Sequence, residues 1–375
     1  MDSTVFWIWF SQLDKVSYPT KSLLLQEFGS VEDIFKCPDF SEFSYVTNEE
    51  NYLLSRKDIR ASQAIYERAK RLDQDIITYE SAAYPVLLRQ ISAPPYVLYA
   101  KGDTSLLNSY PCVGMVGTRN PHHYGVAVTE SFTKDFALNQ IITVSGMARG
   151  IDSVVAQSTI DNGGKTIAVL GCGLDQIYPP ENGELMALIE KNGTLVSEFP
   201  PESPPLSWHF PQRNRIISGM SQCIVIVESA SNGGSMITAR RAKQQGRDVF
   251  AVPGSIFRKT SSGPNMLIAN GDATAVISAR TIISRYITED QSNIKKAKIP
   301  SEEKTKQHTP AIPNKAGLSE SEINILECLL TGELHIDEIK RQTNMEMNEL
   351  NSTMALLELS GHVEKSFGNI YKLNI

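Results

Sequence analysis

Between residues 110 and 280 the apolar positions gather into six short runs: CVGMVG (112–117), IITVSG (141–146), TIAVLG (166–171), TLVSEF (194–199), CIVIVES (223–229) and DVFAVPG (248–254). The runs are nearly continuous rather than alternating, and most stop at Gly or Ser. A strand buried on both faces of a parallel sheet reads this way, whereas a strand with one wet face alternates. Stretches of helical character at 124–139, 149–162, 181–191, 214–220 and 234–246 lie between the runs and supply crossover helices. The alternation predicts an α/β fold with a doubly wound, mostly parallel sheet.

The flanks follow other patterns. Residues 1–75 read as short helices; Leu23–Phe35 has helical spacing with a break at Gly29-Ser30, and Ser30 with Asp33 forms a helix start. PVLLRQISAPPYVLYAKGD (85–103), with Pro94-Pro95, reads as an irregular connector to a core assigned to 76–280. Residues 281–316 are polar, Pro-containing and aperiodic, as expected of a linker. Residues 317–375 carry a helix–helix–helix–hairpin pattern: Ser319 with Glu322 as a capping box, Gly361 ending the third helix, and a turn at Gly368-Asn369. That order predicts a winged helix.

Composition narrows the function classes. With 375 residues, 41% hydrophobic and 21% charged, the chain suits a globular protein of two or three domains. No apolar run has the length of a membrane span. The apolar patch Val5–Phe10 is too short for a signal sequence and lacks a basic lead, so no export signal is expected. Five cysteines without C-x-x-C spacing point to reduced thiols and a cytoplasmic location. The net charge of −6 taken alone argues against nonspecific nucleic-acid binding. From Tyr110 to Arg280, however, 14 basic and 13 acidic residues nearly cancel, so an anion site there must be a local cluster.

One such cluster is visible at the strand ends, where ligands of open parallel sheets bind. They read G-T-R (Gly117, Thr118, Arg119), S-G-M-A-R-G-I-D (from Ser145 and Gly146), G-C-G-L-D (171–175) and E-S-A-S-N-G-G-S (ending in Gly234 and Ser235). Glycine lets backbone N–H groups approach an oxyanion, and helix N-termini add partial positive charge. Arg213 and Arg215 in FPQRNRIISG start a helix at the same predicted edge, with Asn214 between them; Lys243 and Arg247 follow the last turn. Guanidinium groups bind phosphate bidentately. The plainer alternative for each cation is a solvated charge or a salt bridge to Asp152, Asp175 or Glu228. Phe210, after Trp208 and His209, reads either as core or as a platform for a base.

Other chemistries fit poorly. GGKT (163–166) lacks the first glycine of a P-loop, since Thr159 stands there, and a strand follows it. His122-His123 has no ligand partner at metal spacing, so no metal site is expected. Ser145 lies outside a G-x-S-x-G elbow. No catalytic residue and no cofactor are assigned.

The motifs VGTRNPHHYG, SGMARGID, GKTIAVLGCGLDQIYPPEN, SEFPP, FPQRNRIISGMS, VIVESASNGGSMITARRA and GRDVFAVPG, in this order between about 80 and 275, resemble those of the DprA/Smf family of bacterial DNA-processing proteins. The resemblance implies a Rossmann-like core that binds single-stranded DNA, forms a homodimer through that core and loads RecA recombinase during natural transformation. By motif, Gly117, Thr118 and Arg119 would hold a DNA phosphate. Ser145-Gly146 and Gly234-Ser235 would line the same pocket, with Phe210, Arg213, Asn214, Arg215 and Lys243 contributing. Departures are Gln157 where the family often has His, Thr118 for Ser, and Gly233 where it usually has Ser. The core also broadly resembles nucleotide phosphoribohydrolases, whose P-G-G-x-G-T-x-x-E signature has a carboxylate that NGGSMITARR lacks.

The C-terminal module carries an expectation of its own. From Gly317 to Ile375 there are 4 basic and 10 acidic residues, and the third helix, expected near Met345–Gly361, has Glu346, Glu349 and Glu358 with no cation. Reading duplex DNA needs cations facing phosphates, so this module is expected to bind protein instead.

Overall fold

The computed structural model describes residues 2–109, 111–286, 319–329, 334–343, 345–366 and 370–373. Two compact units are present, Met1–Ala297 and Lys298–Ile375. The first takes in both the helices expected over 1–75 and the core expected over 76–280. Of the linker expected over 281–316, residues 281–286 belong to a core helix and the remainder lies outside the described residues, as does the turn at Gly368-Asn369.

The first unit is built on a nine-stranded sheet. Its strands are β1 (Asp75–Thr78), β2 (Val97–Gly102), β3 (Cys112–Val116), β4 (Ile142–Ser145), β5 (Thr166–Leu170), β6 (Thr194–Ser197), β7 (Cys223–Ile226), β8 (Asp248–Ala251) and β9 (Thr274–Ala275), in the order β1-β2-β6-β5-β4-β3-β7-β8-β9. β3 to β9 run parallel, while β2 pairs antiparallel with both β6 and β1. All six apolar runs are strands. The reason is visible in β5, where Ile167 and Val169 face one hydrophobic cluster and Ala168 and Leu170 the other. The connector expected at 85–103 is corrected: its second half is β2, with Val97, Leu98, Tyr99 and Ala100 buried on both faces.

The helices are α1 (Ser3–Ser11), α2 (Tyr18–Phe28), α3 (Val31–Lys36), α4 (Asn48–Ser55), α5 (Arg60–Arg71), α6 (Val86–Arg89), α7 (His123–Leu138), α8 (Ile151–Asp161), α9 (Gly183–Asn192), α10 (His209–Gly219), α11 (Ser235–Gln244), α12 (Ser262–Ala269) and α13 (Ala279–Tyr286). Ile216 and Ile217 of α10 and Met236 and Ala239 of α11 pack on one face of the sheet with Ile224 and Ile226. Phe132 and Phe136 of α7 and Val155 of α8 pack on the other with Val113 and Val225. Helices α1 to α5 wrap an aromatic cluster of Phe6, Trp7, Trp9 and Phe10 that continues into Tyr96, just before β2, and Tyr99 on it. The Ser30 cap on α3 is made, its hydroxyl accepting from the Asp33 amide at 3.1 Å. α10 starts at His209, five residues before the expected start, because Pro211 sits in the first turn, where it has no intrahelical bond to lose.

The second unit has helices Glu320–Leu329, Ile336–Thr343 and Met347–Leu359 and a three-stranded antiparallel sheet of β10 (Leu334–His335), β11 (Val363–Ser366) and β12 (Ile370–Leu373), a winged helix with its own core of Ile325, Leu329, Ile339, Leu350, Met354 and Leu357. Glu322 closes the expected capping box, accepting from the Ser319 amide at 2.7 Å. Among the described residues no helix is long and apolar enough to cross a membrane.

Candidate nucleic-acid interface

The chain winds outward from β3 in two directions, through β4, β5 and β6 on one side and β7, β8 and β9 on the other. The crevice between the carboxyl ends of β3 and β7 is therefore the switch point, where such sheets leave room for a ligand. A cavity of about 580 Å³ opens there. Its walls are the turn Gly117–Arg119 after β3, Ser229 and Ala230 after β7, the turn Gly233–Ser235 at the start of α11, and the Phe210, Arg213 and Asn214 side of α10.

These turns are held rigidly. The Thr118 amide donates to the Glu228 carbonyl at 2.7 Å, and its carbonyl accepts from the Ile151 amide at 3.1 Å. Gly150 has φ +75°, and a Cβ there would come within 2.4 Å of the Thr118 carbonyl oxygen, so only glycine lets the two turns touch. The Ser235 and Ser229 hydroxyls pair at 2.7 Å, closing the α11 turn against β7. The Gly234 and Ser235 amides begin α11, where backbone N–H groups lack intrahelical acceptors. They carry the partial positive charge of the helix start toward the cavity.

The cations divide sharply. Arg119 is exposed on the cavity wall, and among the described residues it makes no ion pair. Arg213 also borders the cavity but is 3% exposed; its guanidinium donates to the Gly146 carbonyl at 2.7 Å and to the Val169 carbonyl. A Cβ on Gly146 would lie 2.4 Å from that guanidinium, which is why glycine stands there. Burial lowers the Arg213 pKa, and the nearby Asp152 works against the shift. Asp152 is itself buried. Burial pushes its pKa up, against Arg213 and the amides of Ala148, Gly146 and Gly117.

Four expected positions lie outside this lining: Gly146, Arg215, Lys243 and Ser145. Arg215 points away from the cavity, paired with Glu198 and donating to the Tyr18 hydroxyl at 2.9 Å, because α10 places alternate arginines on different faces. Burial opposes its charge, yet Glu198 with Tyr18 and Tyr84 more than offsets this, and its pKa is raised. Lys243, two turns along α11, pairs with Asp272. Ser145 is buried and its hydroxyl donates to the Met115 carbonyl at 2.8 Å, which ties β4 to β3. Arg247 also serves packing, donating to the Leu87 carbonyl at 2.8 Å.

Phe210 is half-buried, its ring 5.1 Å from that of Tyr178, and both border the cavity. Asn214 accepts from the Arg213 Nε at 3.2 Å. Sequence reasoning missed Thr238 and Ser207 in the lining. Thr238 was findable as the residue one turn after Ser235; Ser207 lies in an aperiodic loop that gave no signal.

The model of the family DNA recombination-mediator protein A matches residues 75–287, and that of the DprA winged helix domain matches 309–369. The chain belongs to the DprA/Smf family. It is 46% identical to the DNA processing protein DprA of Bacillus subtilis over 206 residues, covering 55% of this chain and 69% of that one. The structure of DNA processing protein A from Streptococcus pneumoniae aligns with a TM-score of 0.61 at 30% identity, covering 76% of this chain and 99% of that one. DNA processing protein A from Helicobacter pylori, described for its single-stranded DNA binding mode, aligns with a TM-score of 0.52 at 29% identity over 57% of this chain and 98% of its own. The core is thus Rossmann-like and the C-terminal unit is the family's winged helix.

Proposed function

We propose that this chain binds the backbone of single-stranded DNA in the cavity at the switch point. On that reading it protects the strand and passes it to RecA recombinase in DNA uptake and recombination, acting as a cytoplasmic homodimer. The observation that carries the DNA reading is Arg119. Among the described residues it is an exposed cation without an ion pair, beside the start of α11, while Arg213, Arg215 and Lys243 are already occupied. An unpaired guanidinium and free helix-start amides on one concave wall suit a phosphate. A narrow cavity between turns suits a flexible strand better than a rigid duplex. The Helicobacter pylori relative, described for its single-stranded DNA binding mode, and the family membership support the same reading. For the homodimer, Ile256, Phe257 and Ile277, at 83%, 92% and 87% exposure, supply apolar surface just past β8 and β9.

The test is a gel-shift series with oligo-dT and duplex at two salt concentrations. Arg119→Ala should weaken single-strand binding by about 1.5–3 kcal/mol and flatten the log–log salt slope by about 0.7. Equal affinity for single and double strands, or an unchanged Arg119→Ala, would overturn the assignment. One observation favours a second reading, a nucleotide phosphoribohydrolase: Asp152, a carboxyl with a raised pKa, lies under the cavity. Release of free adenine from AMP, abolished in Asp152→Asn, would establish that enzyme instead.

A further inference from the structure

A second cavity of about 510 Å³ lies within the first unit, between α2 and the start of α10. The irregular strap 203–208 is a wall common to both cavities. Pro205 and Ser207 face the first, while Ser203, Pro204, Leu206 and Trp208 face the second. Trp208, at the rim, is 58% exposed, and its ring stands edge-on to His209, centroids 4.1 Å apart. His209 in turn stacks on Phe199 at 3.8 Å, and its Nδ1 lies 3.1 Å from the Gly171 carbonyl. The exposed indole is therefore mounted on a fixed support. Inside, Tyr18 and Tyr96 form a stacked wall, centroids 5.8 Å apart and 21° from parallel.

Lys21 is the unusual group. It is 5% exposed, its ammonium lies 5.6 Å from the ring centroids of both Phe10 and Tyr96, and among the described residues it has no ion pair and no hydrogen-bond acceptor. Burial pushes it down to about 8, with Asp14 working the other way. A buried amine without an acceptor is costly, and aromatic faces only partly compensate. Asp14 and Glu198 also border the cavity, and Glu198 is committed to Arg215. The cavity thus combines flat aromatic walls with one ammonium open to it and little net positive charge. This chemistry suits a neutral, flat ring bearing keto oxygens better than a phosphate.

We propose that the second cavity takes a base of the same single strand whose backbone occupies the first, the strand crossing the strap at Trp208. The base stacks among Trp208, Tyr18 and Tyr96, and a keto oxygen accepts from Lys21. The assignment rests on the first cavity holding the backbone, and its test separates the two.

The probe is oligo-dT of increasing length, with 5-iodouracil at single positions, irradiated in complex with the full chain. Cross-links to Trp208, Tyr18 or Tyr96 are expected once the oligomer is long enough to pass the strap. Trp208→Ala and Lys21→Met should each lose about fivefold or more of the affinity gained with those longer strands. The shortest binding oligomer should bind both variants as it binds the wild type, and Trp208→Phe should restore most of the loss. Cross-links confined to Phe210 and Tyr178, with wild-type affinity in both variants at every length, would overturn the proposal. If Arg119→Ala leaves every length unaffected, the first-cavity reading fails, while cross-links at Trp208 still report on the second.

Discussion

At the scale of single residues, the arginines of FPQRNRIISG show how far a motif carries. Position alone suggested two phosphate ligands, and the structure separates them. Arg213 is held by the Gly146 and Val169 carbonyls, and Arg215 is paired with Glu198 and bound to Tyr18 of α2. What could not be read from the sequence was the partner, because Glu198 and Tyr18 lie 17 and 197 residues away. The place of Arg119 on the cavity wall was legible, since it stands in the turn after β3, two residues past Gly117. Arg215 accordingly belongs to stability. Its side chain is 8% exposed and that of Glu198 9%. Removing one partner of such a pair leaves a buried charge without compensation, at a cost of about 3–5 kcal/mol. Urea denaturation of Arg215→Ala should show that loss, while Arg215→Met with Glu198→Leu should recover most of it. Affinity of the folded fraction for the shortest binding oligomer, which occupies the first cavity alone, should match wild type, in contrast with Arg119→Ala.

Elements were more legible than contacts. Six runs became six parallel strands because burial on both faces leaves an unbroken apolar signature. β1 and β2 lacked that clarity: β2 follows Pro94-Pro95, and a strand that begins just past proline reads like a turn. The helical N-terminal segment is held by a device the sequence hinted at less plainly than at Ser30. Glu50 completes a capping box with Thr47 on α4, and it also accepts from the Ser17 amide at 2.9 Å and the Thr20 hydroxyl at 3.0 Å at the start of α2. Burial works against its charge, but these hydrogen bonds prevail and lower its pKa from 4.5 to about 2. A carboxyl depressed in the folded state stabilises fully above its unfolded pKa and loses that contribution as pH falls through the folded one. The α2–α4 clamp should therefore weaken between about pH 4.5 and 2. Glu50→Gln should lower stability by about 1–3 kcal/mol at neutral pH. Melting curves of both proteins should converge as pH falls toward 2, and a constant gap would show that Glu50 acts by packing rather than charge.

For the whole molecule, the division into a neutral α/β core and an acidic winged helix was legible from charge and periodicity, and each unit has its own closed hydrophobic core. The winged helix has the architecture of a duplex reader, yet its third helix, Met347–Leu359, offers Glu349 and Glu358 and no cation. Nonspecific affinity for DNA comes chiefly from cations that release counterions, and this helix has none to supply. It also leaves Leu356 57% exposed, next to Met354 and Leu357 in the core, which is surface suited to a protein partner. The cut that tests this must respect the core. Ending the chain near Arg280 would remove the buried Ile282 and the contacts of Arg285 and Tyr286 with Asp248, so the truncation belongs after Tyr286. A chain of residues 1–286, compared with the full chain, should bind duplex no more weakly and single strands equally or more tightly, because the part removed carries 14 acidic against 10 basic residues. A clear fall in duplex affinity on truncation, seen at matched salt, would show that the winged helix reads DNA despite its charge.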